Sequence, residues 1–197
     1  MSFIDKTAFE ARGTNNDRDN LSHVAGRYQV NGADADCSAG LLCVRGANTP
    51  CQGFTGVLNE NAWYMTAASA DANIDSVIYA CDPYDWQLLQ GKGGNAYAVG
   101  RETLGLGAIA GRECNYTNVI FDNKHWYRFG EGNLSAAADD KKFFTIADGL
   151  LVPAAAAPTA AGSIYFELKD TGAFTEGTTA SFGYVDVIAM RVSVAAA

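Results

Sequence analysis

Short runs of apolar, aromatic and β-branched residues recur along the chain from Gly26 onward, and Gly, Asn, Asp or Pro bounds each run. Such residues suit a pleated, half-buried surface. Many short strands separated by turn residues are typical of an all-β sandwich or barrel. The pattern predicts strands at Gly26–Val30, Gly40–Arg45, Gly53–Leu58, Ala62–Thr66, Ser76–Cys81, Ala96–Val99, Thr117–Phe121, Trp126–Phe129, Lys142–Ile146, Ser163–Leu168 and Phe182–Val194.

Alternation within these runs predicts which side chains share a face. Tyr165, Glu167 and Lys169 should point to one side of a strand, and the apolar residues between them to the other. Residues that favour tight turns separate the runs. Turns are therefore predicted at Asn31-Gly32, Gly91–Asn95, Asp148-Gly149 and Thr171-Gly172.

Helical patterns are scarce, so we expect at most one or two short helices. The best candidate is Asn133–Lys142, because it begins with a capping residue and ends with lysines that oppose the helix dipole. Asn59–Ala62 and Asp82–Leu89 are weaker candidates. The stretch Pro153–Gly162 is rich in Ala and Pro and is interpreted as a connection that crosses from one sheet to another.

Residues 1–25 differ from the rest of the chain, since a polar, turn-rich segment follows the isolated apolar residues Phe3, Ile4 and Phe9. Two interpretations stay open: an extended N-terminal arm that lies on a neighbouring subunit, or a frayed terminus. The arm interpretation makes Phe3, Ile4 and Phe9 candidate partner-interface residues. The predicted organisation is an arm at 1–25 and a single β-rich domain at 26–197.

Composition and charge narrow the possible partners. The chain has 197 residues, of which 48% are hydrophobic and only 18% charged, and it contains 21 glycines. Low charge with many small residues suits a protein that covers much of its surface by contact with neighbours. A net charge of −8 disfavours nucleic acid and anionic membranes. The N-terminus lacks the apolar core of a secretory signal, so synthesis in a cytoplasm is expected.

The sequence contains no recognisable catalytic or metal-binding motif. The histidines are His23 and His125, and neither adjoins a nucleophile signature. The five cysteines lack the tight pairs of zinc sites and are interpreted as reduced, mostly buried thiols. The stretch Gly105–Ala110 matches a dinucleotide-binding pattern, but no convincing helix follows it. We therefore predict a protein that is not an enzyme, with no catalytic, cofactor-binding or metal-binding residues.

Aromatic residues leave one further possibility open. Trp63, Trp86 and Trp126 have rings large enough to stack on sugars, although most aromatic side chains serve core and interface packing. A carbohydrate-binding or host-attachment module is therefore kept as an alternative function.

The last third of the chain shows a family resemblance. Residues 142–154, 158–168 and 182–192, together with Ala39–Gly46, resemble the head-decoration (capsid cement) proteins of tailed bacteriophages. The resemblance implies a β-rich fold, a homotrimer, a contact surface for the major capsid protein and an arm that reaches a neighbour. It implies a virion structural protein on the capsid exterior, made in the bacterial cytoplasm, that stabilises the assembled shell. A tail subunit is a further alternative.

Overall fold

A computed structural model of the chain describes residues 6–11, 23–48, 51–52, 58–59, 62–69, 77–82, 107–108, 110–111, 113–138, 140–176 and 179–193. Within these ranges the regular secondary structure is β-strand, apart from one 3-10 turn at Glu131–Asn133. The predicted all-β fold is confirmed. The strands are β1 (Phe9–Ala11), β2 (His23–Val30), β3 (Ala33–Asp34), β4 (Leu42–Asn48), β5 (Cys51–Gln52), β6 (Leu58–Asn59), β7 (Ala62–Ala67), β8 (Ile78–Cys81), β9 (Cys114–Asn118), β10 (Trp126–Gly130), β11 (Phe143–Ala147), β12 (Leu150–Ala154), β13 (Ile164–Glu176) and β14 (Thr179–Arg191).

One of the two main sheets, called here the open sheet, has six antiparallel strands in the order β1-β10-β14-β13-β11-β12. Its longest strands, β13 and β14, form a hairpin at its centre. Pro153 lies in the edge strand β12, where its missing N–H removes no bond to a further strand. The predicted arm contributes β1, and the predicted boundary at residue 25 falls within β2.

The other main sheet closes into a barrel. Strands β2, β7, β4, β8 and β9 pair in that order, and β9 pairs back onto β2. The β2–β7 pair is parallel, whereas the other barrel pairs are antiparallel. Strand β3 extends β2 as a short hairpin, and β5 and β6 form a separate two-stranded ribbon.

Alternation along β4 and β8 divides the buried side chains between two cores. Ile78 and Ala80 join Leu42 in a cluster with the inner face of the open sheet, which includes the rings of Phe144 and Phe166. The intervening Tyr79 and Cys81 join Cys43 in a second cluster within the barrel. Because successive side chains on a strand point to opposite faces, the same two strands serve both cores. One side of the barrel wall is thereby packed against the open sheet.

Two of the predicted turns are confirmed. Asn31 and Gly32 have φ values of 52° and 80° and join β2 to β3, while Asp148 and Gly149, at 50° and 76°, join β11 to β12. Two consecutive residues with positive φ define the type I′ hairpin turn, which Asn-Gly and Asp-Gly favour. Thr171-Gly172 is not a turn, because both residues lie within the long strand β13. Gly91–Asn95 lies outside the described residues.

The predicted helix at Asn133–Lys142 is wrong. Leu134 follows the 3-10 turn with extended backbone dihedrals, and β11 begins at Phe143. Asn133 caps no helix and instead makes buried tertiary hydrogen bonds. The interpretation of Pro153–Gly162 is also wrong, since this stretch joins β12 to β13 within one sheet.

Several predicted elements fall partly or wholly outside the described residues. They include the strands Gly53–Leu58 and Ala96–Val99 and the weaker helix candidate Asp82–Leu89. The other weak helix candidate, Asn59–Ala62, has its described ends in strands, since Asn59 ends β6 and Ala62 begins β7. Across the ranges given above, no helix has the length and apolar character required to cross a bilayer.

Candidate functional site

The strongest candidate for an interaction site is the outer face of the open sheet, which points away from the barrel. Register pairs Trp126 with Ile188 and Arg128 with Asp186, so these side chains share the face opposite the buried Val187. Phe143 pairs with Glu167 on the same side. We define the outer face by Trp126, Arg128, Phe143, Tyr165, Glu167, Lys169, Tyr184, Asp186 and Ile188.

Charged groups at one end of the outer face are paired with each other. The Arg128 guanidinium donates from Nε to Asp186 Oδ1 over 2.8 Å and from a terminal nitrogen to Oδ2 over 2.9 Å. It also lies 3.7 Å from the centroid of the Tyr184 ring. Only 3% of Asp186 is exposed. The carboxylate is thus already desolvated and satisfied, which lowers the cost of covering it with another protein.

Aromatic side chains occupy much of the remaining outer face. Lys169 Nζ lies 3.6 Å from the Trp126 ring centroid, and Phe143 and Tyr165 meet edge to face with centroids 6.1 Å apart. Phe143, Tyr165 and Ile188 are partly exposed. Aromatic residues and Arg are enriched at the centre of protein interfaces. The alternation predicted for Tyr165, Glu167 and Lys169 is confirmed by their shared side of β13.

Of the three predicted partner-interface residues, the structure describes Phe9. Phe9 is 3% exposed and packs in the core of its own chain, with its ring centroid 6.0 Å from that of Tyr127 and 5.4 Å from that of Phe129. Phe3 and Ile4 lie outside the described residues. Contact of these residues with a partner stays a prediction. The sequence signal for the core position was the spacing Phe9-x-Ala11, which places both side chains on one face of a strand.

The barrel interior holds a group of thiols. Cys37, Cys43 and Cys81 are free and buried, and Cys114 is free and partly exposed. Burial is the main cause that raises the pKa values of Cys37, Cys43 and Cys81. The thiolate is the reactive form, so these cysteines are poor nucleophiles. In the described ranges, no group of three or more His, Cys, Asp or Glu side chains is placed to hold a metal ion.

His23, Asp82 and Thr117 meet where β9 closes the barrel against β2. His23 Nδ1 lies 3.2 Å from Asp82 Oδ2 and 3.0 Å from Thr117 Oγ1, and the Thr117 hydroxyl donates to Asp82 Oδ1 over 2.5 Å. A catalytic triad places the base between hydroxyl and carboxylate, each on a different ring nitrogen. Here both approach one nitrogen, and Thr117 is only 2% exposed. This geometry supports a role in closing the barrel.

Of the predicted sugar-stacking residues, Trp63 lies in barrel strand β7 and Trp126 lies in strand β10 of the open sheet. Arg45 lies 4.1 Å from the Trp63 ring centroid, as Lys169 does near Trp126, so each ring already carries a cation on one face. Trp86 lies outside the described residues.

The described fold defines a two-sheet, all-β protein with an aromatic outer face. Comparison of the chain with known protein families, with curated proteins and with solved structures found no match. A functional assignment therefore depends on the geometry of the outer face and on the resemblance stated above.

Proposed function

We propose that the chain is a non-enzymatic structural protein of a tailed-bacteriophage virion, which binds the outside of the assembled capsid and stabilises it. Its partners are the major capsid protein and further copies of itself, in a homotrimer. The observation that carries the proposal is the outer face, where partly exposed aromatic residues lie on the same face as the Arg128–Asp186 pair. Together with the low overall charge, this face favours contact with protein.

Stabilisation by such a protein follows from mass action. A ligand that binds the assembled shell but not its free subunits shifts the equilibrium toward the shell. Many copies bound to neighbouring lattice positions also raise one another's effective concentration when they are linked. Even if a single copy binds weakly, many copies together can have a strong effect on the whole capsid.

The test is co-sedimentation of the purified protein with capsids of the encoding phage that were assembled without it. We expect a defined oligomer that pellets with the capsids at a fixed ratio to the major capsid protein. The double variant Phe143→Ser/Tyr165→Ser should lose most of this binding while it keeps its fold. Val30→Ser is the matched control, because Val30 is exposed on barrel strand β2 away from the outer face.

Two outcomes would overturn the proposal. If the wild-type protein stays in the supernatant with intact capsids, capsid binding is wrong. If the double variant binds as the wild type does, the outer face is not the binding site. Circular dichroism of both variants shows whether each has folded.

A further inference from the structure

The N-terminal segment Lys6–Ala11 is bound along one short stretch of the chain, Tyr127–Asn133, which we call the strand slot. Phe9 and Glu10 pair in register with Phe129 and Arg128. Beyond this ladder, the N–H groups of Gly130 and Gly132 donate to the carbonyls of Ala8 and Lys6 over 3.1 and 2.9 Å. The segment is therefore bound as an extended peptide that adds a strand to the open sheet.

The strand slot is complementary to this particular segment. Lys6 Nζ lies 2.5 Å from Glu131 Oε1, and the buried Asn133 side chain accepts the Ala8 N–H over 3.0 Å. Position 130 requires glycine. A Cβ at this position would collide with the Lys6 carbonyl and would lie 2.8 Å from the Ala8 nitrogen. Slot and segment thus match in charge, hydrogen bonding and shape.

A long covalent connection joins the segment to strand β2. It ends in the open sheet at Ala11, whereas the next described strand begins in the barrel at His23. Twelve peptide steps separate these residues in the sequence, and an extended chain covers about 3.3–3.6 Å per step, or up to about 40 Å. The intervening residues are mostly polar or Gly. A connection of this length does not by itself restrict the segment to the slot of its own chain.

We propose that, in the oligomer, the strand slot of each copy binds Lys6–Ala11 of a second copy. Exchange of an identical strand retains every contact described above, so it adds an intermolecular interface at little energetic cost. The occupant is a second copy because the Glu131, Asn133 and Gly130 contacts match this segment. The inference rests on the proposed function only in requiring a homo-oligomer.

The Lys6–Glu131 pair allows a direct test by cross-linking with a carbodiimide, which joins an amine to a carboxylate without a spacer. Two full-length chains with different affinity tags are co-expressed, one carrying Lys6→Arg and the other Glu131→Gln. Neither chain can then form the 6–131 cross-link within itself. Mixed oligomers are purified through both tags, cross-linked and analysed by mass spectrometry.

We expect a covalent product between the two chains, with Lys6 of the Glu131→Gln chain joined to Glu131 of the Lys6→Arg chain. Wild-type protein alone is the positive control for the cross-link, and Glu131→Gln alone is the negative control. If wild-type protein forms the 6–131 link but mixed oligomers do not, strand exchange is wrong and the homo-oligomer stands. A wild-type protein that is monomeric by light scattering contradicts both the exchange and the homotrimer, whereas capsid binding is judged separately by co-sedimentation.

Discussion

The side-chain amide of Asn133 donates to the backbone carbonyl of Ala39 over 2.8 Å, although 94 positions separate the two residues. Its carbonyl oxygen accepts the N–H of Ala8 at the same time. Asn133 is only 1% exposed, so a single buried amide joins the N-terminal segment to the loop that precedes barrel strand β4. Such a bridge satisfies two backbone groups that have little access to water.

Asn133→Ala should strongly destabilise the protein, because it leaves the Ala8 N–H and the Ala39 carbonyl without their partner. Each unsatisfied buried group costs about 1–3 kcal/mol, so we expect a loss of about 2–4 kcal/mol in the free energy of unfolding. Urea denaturation measures this loss. Asn115→Ala, at an exposed position in β9, is the matched control and should change the free energy by less than about 0.5 kcal/mol. Equal effects of the two substitutions would contradict the bridge.

The two type I′ turns provide a second, internally controlled prediction. A Cβ at Gly149 would lie 2.8 Å from Leu41 Cδ1 and 2.9 Å from the Leu42 carbonyl, whereas a Cβ at Gly32 would have nothing within 4 Å. Both glycines have similar positive φ, so Gly32→Ala measures backbone strain alone, about 1–2 kcal/mol. Gly149→Ala should cost about 1–3 kcal/mol more, because overpacking is added to the strain. Equal losses in guanidinium denaturation would show that the Gly149 turn is not packed against the barrel.

Local sequence signals were sufficient for many strands and for these two turns. Asn31-Gly32 and Asp148-Gly149 specify their own backbone conformation, and the alternation in β13 specifies its two faces. Non-local effects explain the errors. Asn133 resembles a helix cap, but its side chain bonds Ala8 and Ala39 instead. Pro153 argues against a strand unless the strand lies at an edge, as β12 does.

The candidate site was harder to predict from the sequence than the strands were. The outer face depends on register between strands distant in the chain, such as the pairing of Arg128 with Asp186. Closure of the barrel likewise depends on β9 pairing with β2. Neither pairing leaves a local pattern, because side-chain periodicity specifies a face but not the neighbouring strand.

Removal of one partner of the Arg128–Asp186 pair should lower the free energy of unfolding strongly, whereas replacement of both partners by apolar residues should lower it much less. Asp186→Ala removes both short hydrogen bonds from the partly buried guanidinium and leaves it the longer contact of 3.9 Å with Glu10 Oε2, so we expect a loss of about 3 kcal/mol in the free energy of unfolding. The double variant Arg128→Met/Asp186→Leu removes both charges and should regain most of that loss. Denaturant titration of the wild type, Arg128→Met, Asp186→Leu and the double variant gives the coupling energy. A coupling energy near zero would show that the two residues act independently.

Asp82 should make the stability of the protein depend on pH in a defined direction. Burial is the main cause that raises the pKa of Asp82 above its ordinary value of 3.8, against the hydrogen bond from Thr117 and the nearby His23. As pH rises from 3.8 through the folded-state pKa, the unfolded chain loses this proton first. The group therefore makes the folded state progressively less stable across that window.

Asp82→Asn stays neutral at every pH and keeps an oxygen that can accept the Thr117 hydroxyl. The melting temperature of the variant relative to wild type should therefore increase as pH rises from about 3 to about 7. Asp140→Asn, at an exposed position, is the control for removal of one negative charge. Thermal unfolding followed by circular dichroism at each pH measures the difference. A difference that stays constant, or that decreases with pH, would show that the barrel closure stabilises ionised Asp82 at least as much as burial disfavours it.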